Sequence, residues 1–174
     1  MDSRQEKIRL LSRMNRGRAA APSFLAALSE ALGEPVDGSA LLPTSETDML
    51  VETFRSGYQS AIKPDAVSYR RFFQAGERSL VVCLADCIAE KLPGERGLFF
   101  TKLSQDCGAV SLDLSVLLKH MASIIRLDGD SLSALSEDHK QGILIDHNPD
   151  DPKQTYEVVV WGDYWAVLAL ACDQ

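Results

Sequence analysis

What the chain lacks narrows it first. There is no G-x-x-x-x-G-K-[ST] phosphate loop, no G-x-G-x-x-G, no H-E-x-x-H and no C-x-x-C. The short motifs that mark nucleotide, zinc-protease and dithiol chemistry are therefore missing. A site assembled from residues scattered in sequence stays open, because chemistry is carried by sites and not by motifs alone. No apolar run approaches the roughly eighteen residues that a membrane span needs. Histidine is scarce too: His120, His139 and His147 are the whole supply. A serine or cysteine nucleophile would draw its base from these three. Ser136 with His139, or Cys107 with His120, are the available pairs, and neither sits in a recognisable nucleophile elbow. Surface histidines are the expectation, and no cofactor is implied.

Cysteine is the next shortage, with Cys83, Cys87, Cys107 and Cys172 in 174 residues. The chain is long and the spacing is no disulfide framework, so reduced thiols are expected. Cys83 and Cys87 stand one helical turn apart among Val82, Leu84 and Ile88, which reads as a buried thiol pair. A metal centre would need a second cluster, and Cys107 and His120 are isolated. The first eighteen residues are charged and lack the apolar core of a secretory signal, so a cytoplasmic protein is expected.

What is present is charge, unevenly spread. The net is -7, yet residues 1–18 carry six basic and two acidic side chains, while residues 119–174 carry four basic and ten acidic ones. An acidic C-terminal part repels nucleic-acid phosphates and anionic lipid and attracts a basic partner. Direct nucleic-acid binding and membrane association are thus disfavoured.

Length and composition fit one domain of residues 1–174. Ile8, Leu11 and Met14 recur at helical spacing among basic residues, giving a short amphipathic helix over residues 3–15. Residues 16–21 read as a break, after which Pro22 can open a second helix and Gly33 can close it. Thr44 or Ser45 can cap a third helix, whose apolar face is Met49, Leu50, Phe54, Tyr58 and Ile62 and which Pro64 ends. Residues 67–73 read as a strand. Residues 77–92 keep helical spacing too long for a strand, and residues 97–103 read as a strand with Phe99 and Phe100 on opposite sides. Residues 105–108 form a turn. Ser111 can cap a helix to about Ala122 with Leu114, Leu117, Leu118 and Met121 inward. An antiparallel meander follows over about 123–165, with strands near 123–128, 131–136, 142–147 and 155–161. Asp128-Gly129 suits a two-residue hairpin there. Residues 166–171 are continuously apolar and must be buried, as helix or as last strand. The class is α+β: N-terminal helices, with two short strands in residues 1–122, packed on a C-terminal antiparallel β-meander.

Residues 146–157 match the ligand positions of an EF-hand at Asp146, Asn148, Asp150 and Glu157. The sixth position, which needs glycine, is Asp151, and the flanks read as strands. An acidic hairpin loop is the better reading, with no metal. The candidate binding residues are the carboxylates at the turns: Asp128, Asp130, Glu137, Asp138, Asp146, Asp150, Asp151 and Asp163. Alternating hairpins would put Asp128 and Asp130 at the same end as the 148–154 loop, a field of one sign suited to a basic protein. Trp161, Tyr164 and Trp165 are aromatics of a kind common at interfaces, with core positions the favoured alternative for the two tryptophans.

The runs Arg126-Leu-Asp-Gly-Asp130, Leu135-Ser-Glu-Asp138, Gly142-Ile-Leu-Ile-Asp146 and Tyr156-Glu-Val-Val-Val-Trp-Gly-Asp-Tyr-Trp165 resemble the C-terminal part of small bacterial immunity proteins. Those proteins accompany polymorphic toxins, including contact-dependent growth-inhibition systems. The resemblance covers about the last 50 residues and implies a cytoplasmic antidote, without turnover, that binds the toxic domain of a cognate effector, often a basic nuclease, and occludes its active site. Such families vary most at the binding surface, so no residue role transfers individually. The alternative from another class is a small intracellular hydrolase or transferase using a histidine beside an aspartate or a cysteine.

Overall fold

The computed structural model describes residues 3–148 and 155–174. A 30-residue helix, α1 (Ser3–Leu32), opens the chain. The break expected at residues 16–21 is absent, and the helix runs through Pro22. Gly17 explains why. It is buried where α1 crosses α4 (Ser104–Cys107), and a Cβ there would collide with the carbonyl of Asp106. The glycine is a close crossing point and not a helix end. Arg13 reinforces the crossing through Asp48 at 2.6 Å and the carbonyl of Gln105, and Arg16 through Asp106 at 3.1 Å. Burial of Phe24, Leu28 and Leu32 outweighs the single backbone hydrogen bond that a proline forfeits.

Helix α2 (Thr44–Ala61) starts one residue earlier than a Thr44 cap requires and two earlier than a Ser45 cap requires. Its cap position is Pro43, whose carbonyl accepts from the Thr47 amide (2.9 Å) and hydroxyl (3.1 Å). Thr47 Oγ1 in turn accepts from the Ala109 amide at 2.8 Å, tying α2 to a residue of the core it covers. Strand β1 (Ser68–Phe73), helix α3 (Arg78–Lys91) and strand β2 (Arg96–Phe100) follow where periodicity placed them.

Three expectations fail between β2 and the meander, the first being the turn at residues 105–108, most of which belongs to α4. Ser111 lies inside a strand, β3 (Val110–Asp113), and it is Asp113 that caps the next helix, accepting from the Ser115 (2.8 Å) and Val116 (3.3 Å) amides. Helix α5 (Leu114–Lys119) does bury Leu114, Leu117 and Leu118. Residues 123–128 are no strand; they belong to α6 (Met121–Asp128), which extends the same stripe through Met121, Ile124 and Ile125. Gly129, at φ 105°, is a left-handed helix terminator whose amide reaches Ile125 at 2.8 Å. Asp-Gly serves helix ends and hairpins alike, because both need a positive φ.

The meander proper is β4 (Ser131–Ser136), β5 (Gly142–His147) and β6 (Tyr156–Trp161), closed by helix α7 (Trp165–Cys172). It forms the middle of an antiparallel sheet ordered β1-β6-β5-β4-β2-β3. Three strands from the first 122 residues therefore join it, not two. The strands alternate between two cores. On one face Tyr69, Val158, Val160, Ile143, Ile145, Leu132 and Phe99 pack with α3, α5, α6, α7 and the second half of α1. On the other, Phe100, Leu98, Leu135, Val159 and Trp161 pack beneath α2. Phe99 and Phe100 do face opposite sides, and Trp161 and Trp165 are both core. The class is α+β, with helices on both faces of the sheet.

The expected buried pair of Cys83 and Cys87 is overturned. Cys87 is joined not to a reduced neighbour but in a disulfide to Cys172, fastening α7 to α3 across 85 residues of sequence, and Cys83 is exposed. Sequence spacing could not show that a C-terminal helix returns to lie along α3. Cys107 is buried, and its thiol donates to the Gly17 carbonyl at 3.8 Å. Among the described residues no helix is long and apolar enough to cross a membrane.

Candidate functional site

The end of the sheet where α6 hands over to β4 gathers carboxylates from three elements. Register sets them side by side: Ser131 faces Asp146, and Asp146 faces Glu157. Asp130 immediately precedes β4, and its carbonyl accepts from the His147 amide at 2.7 Å. Asp128 ends α6, with Oδ1 accepting from the Lys102 amide at 2.7 Å and Oδ2 from the Ser131 hydroxyl at 3.3 Å. Two cations answer these four carboxylates. Lys102 Nζ pairs with Asp130 at 2.8 Å, and Arg70 Nε with Glu157 at 2.7 Å. Tyr58 of α2 also donates to Glu157, at 3.4 Å.

Asp146 stands out within this rim. It is half-buried on the α2 side of the sheet, and no hydrogen bond to its carboxylate is found among the described residues. Burial pushes its pKa above the ordinary carboxylate value, and the negative charges of Asp130 and Glu157 push it further. Burial also raises Asp128, against the lowering effect of the Lys102 amide. The free protein thus holds like charges together in a partly desolvated place, which is unfavourable by itself.

Beside the rim lies a groove of about 290 Å³ between α2 and the β4–β2 part of the sheet. It exists because β4 presents Ser131 and Ser133 on the face where its neighbours present Leu144 and Phe100. Asp128 and Lys102 line both groove and rim.

The remaining candidates lie elsewhere. Glu137 and Asp138 occupy the β4–β5 turn and Asp163 follows β6, all at the opposite end of the meander. Asp138 is committed to the turn, accepting from Ser136 Oγ (2.6 Å) and the Lys140 amide (3.1 Å), and these bonds hold its carboxyl below the usual range. Glu137 approaches Arg96 at 3.5 Å. Asp150 and Asp151 lie outside the described residues. Sequence reading set Asp128 and Asp130 at one end of the meander and named Asp146 as a candidate without joining it to them; Glu157, Lys102, Arg70 and Tyr58 were not among its binding residues. The β5–β6 register brings Glu157, the β1–β6 pairing brings Arg70, the turn after β2 brings Lys102 and α2 brings Tyr58.

The histidines join no nucleophile. Ser136 Oγ donates to Asp138, and among the described residues no hydrogen bond links it to His139. Cys107 bonds Gly17, and burial raises its pKa, which disfavours the reactive thiolate. His147 stacks on Tyr156 with centroids 4.4 Å apart. Among the described residues no group of three or more His, Cys, Asp or Glu side chains is arranged to hold a metal ion.

Fold and site together define a class: an α+β protein with an antiparallel sheet covered on both faces and a carboxylate-rich rim at one sheet end. No protein-family model, curated protein or solved structure matches the chain.

Proposed function

We propose that this protein works by binding, as an immunity protein that neutralises a basic toxin domain, a nuclease in the leading version, by covering its active site. The observation that carries the reading is Asp146, a half-buried carboxylate without a hydrogen-bond partner among the described residues, flanked by Asp130 and Glu157. A site that is unfavourable alone becomes favourable when a cation arrives, so the strain points to a positively charged partner. Asp128 and Asp130 contribute to the same field. The same field repels phosphates, so the partner is a protein and neither nucleic acid nor lipid.

The test is co-expression and pull-down with the effector toxin domain encoded beside this chain. Protection of the host and a complex that survives purification are expected. Binding without protection, or protection without binding, would sink the proposal.

A cytoplasmic location belongs to the same proposal and makes a separate prediction. Reducing compartments keep thiols free, so the Cys87–Cys172 pair would be open in the cell and closed after isolation in air. Alkylation at the moment of lysis, followed by mass measurement, should find four modified cysteines. Two modified cysteines would place the working protein in an oxidising compartment.

A further inference from the structure

We infer that the groove beside the rim is a receptor for one arginine side chain of the partner, an inference that rests on the binding role proposed above. The groove's composition suits a guanidinium on a hydrocarbon stem. Phe54 and Phe100 pack on each other, with ring centroids 5.6 Å apart, and together form one apolar wall against which a stem can lie and a planar cation can stack. Ser131 and Ser133 supply the floor, and Asp128 supplies the charge. Each oxygen of Asp128 already accepts one hydrogen bond from within the chain. A carboxylate has about four acceptor positions, so two remain for a forked donor. Two cations also line the groove, each paired with a carboxylate other than Asp128: Lys102 with Asp130 at 2.8 Å and Arg55 with Glu52 at 2.7 Å. Asp128 itself receives only neutral donors through hydrogen bonds, with burial as its largest perturbation. The volume of about 290 Å³ admits one long side chain and excludes a folded segment.

The experiment titrates the full chain, labelled with nitrogen-15, with N-acetyl-arginine methylamide, with its neutral citrulline counterpart and with inorganic phosphate. Saturable shifts at the amides of Phe54, Asp128, Ser131 and Ser133 are expected with the arginine compound alone. Ser133→Val, which fills the floor without charge, and Asp128→Asn, which keeps the shape, should each weaken the interaction about tenfold or more. Ser133 is half-exposed on a strand, where valine is well accommodated, and Asp128→Asn serves if Ser133→Val loses dispersion in its spectrum. Equal shifts with citrulline, shifts at this set with phosphate, or indifference to both substitutions would overturn the inference. The two proposals fail separately. A chain that takes the arginine compound but not the effector domain loses the immunity role and keeps the groove. A chain whose effector binding ignores both substitutions keeps the role and loses the groove.

Discussion

Two aspartates of this chain titrate with opposite signs, and the contrast separates residues that hold the fold from residues that burden it. Asp48 is lowered, first by its hydrogen bond from Arg13 and then, after an opposing desolvation, by that residue's charge. A carboxyl whose folded pKa lies below its unfolded value stabilises above the unfolded value and loses this as pH falls through the folded one. Asp146 is raised, first by desolvation. Its contribution is complete below the unfolded value, near 3.8, and disappears as pH rises through the folded one. At neutral pH, Asp146 therefore weakens the protein while Asp48 supports it. Urea denaturation should show Asp146→Asn more stable than the parent at pH 7, with the gain shrinking toward pH 3. Asp48→Asn should be less stable at pH 7 by about 0.2–1 kcal/mol, since its ion pair is largely exposed, with the loss fading in acid. The same Asp146→Asn variant should bind the partner less well, the usual conflict between stability and a functional site. A destabilised Asp146→Asn at pH 7 would mean that the carboxylate has a structural partner, and the argument for an incoming cation would go with it.

At the scale of elements, the seat of α2 on the sheet depends on one tryptophan between two glycines. Trp161 meets Phe54 edge-on at 5.1 Å, and a Cβ at Gly57 or at Gly142 would run into its indole. Helix propensity alone says that Gly57→Ala gains about 1 kcal/mol, whereas overpacking costs about 1–3 kcal/mol. Packing wins, so Gly57→Ala should lower the thermal midpoint, while the pair Gly57→Ala with Trp161→Phe should recover part of the loss; a stabilised single variant would refute the close seat. Such contacts mark the limit of what the sequence discloses. Periodicity is a local property, and it located α2, α3, β2, β4 to β6 and the inward set Leu114, Leu117, Leu118 and Met121. Gly17 read as a break because nothing local reveals that α4 crosses there. Residues 123–128 read as a strand because β-branched Ile124 and Ile125 beside Asp-Gly satisfy both patterns, and helix packing against α1 and β4 decided between them. Cys87 with Cys172, and Glu157 beside Asp146, are long-range pairings set by topology and register. Asp128 and Asp130 were set at the right end of the meander although the hairpin assigned to them is a helix end; Asp146 joins them through the β4–β5 register, and the cations and the groove come from elements whose positions only the fold supplies.

For the molecule as a whole, the proposed binding role turns on whether net charge or its placement would draw a basic partner. The net of -7 acts everywhere, whereas the rim holds Asp128, Asp130, Asp146 and Glu157 at one end and leaves Glu137 and Asp163 at the other. A six-residue strand spans about 17 Å from first to last Cα, and screening at physiological salt has a range of about 8 Å. The two ends are therefore electrically separate, and only the one that meets the partner should steer it. Matched neutralisations distinguish the cases, because each removes two charges. Asp130→Asn with Asp146→Asn should slow association with the effector domain about tenfold and flatten its dependence on salt; Glu137→Gln with Asp163→Asn should change the rate less than about twofold. Stopped-flow mixing across a range of salt concentrations reads both quantities. Equal slowing by the two pairs would assign attraction to overall charge, and the rim would lose its standing as the binding face. Selective slowing by the first pair fixes the orientation of the encounter: the partner arrives over the end of the sheet where α6 meets β4, with the groove between α2 and β4 within reach of the same docking surface.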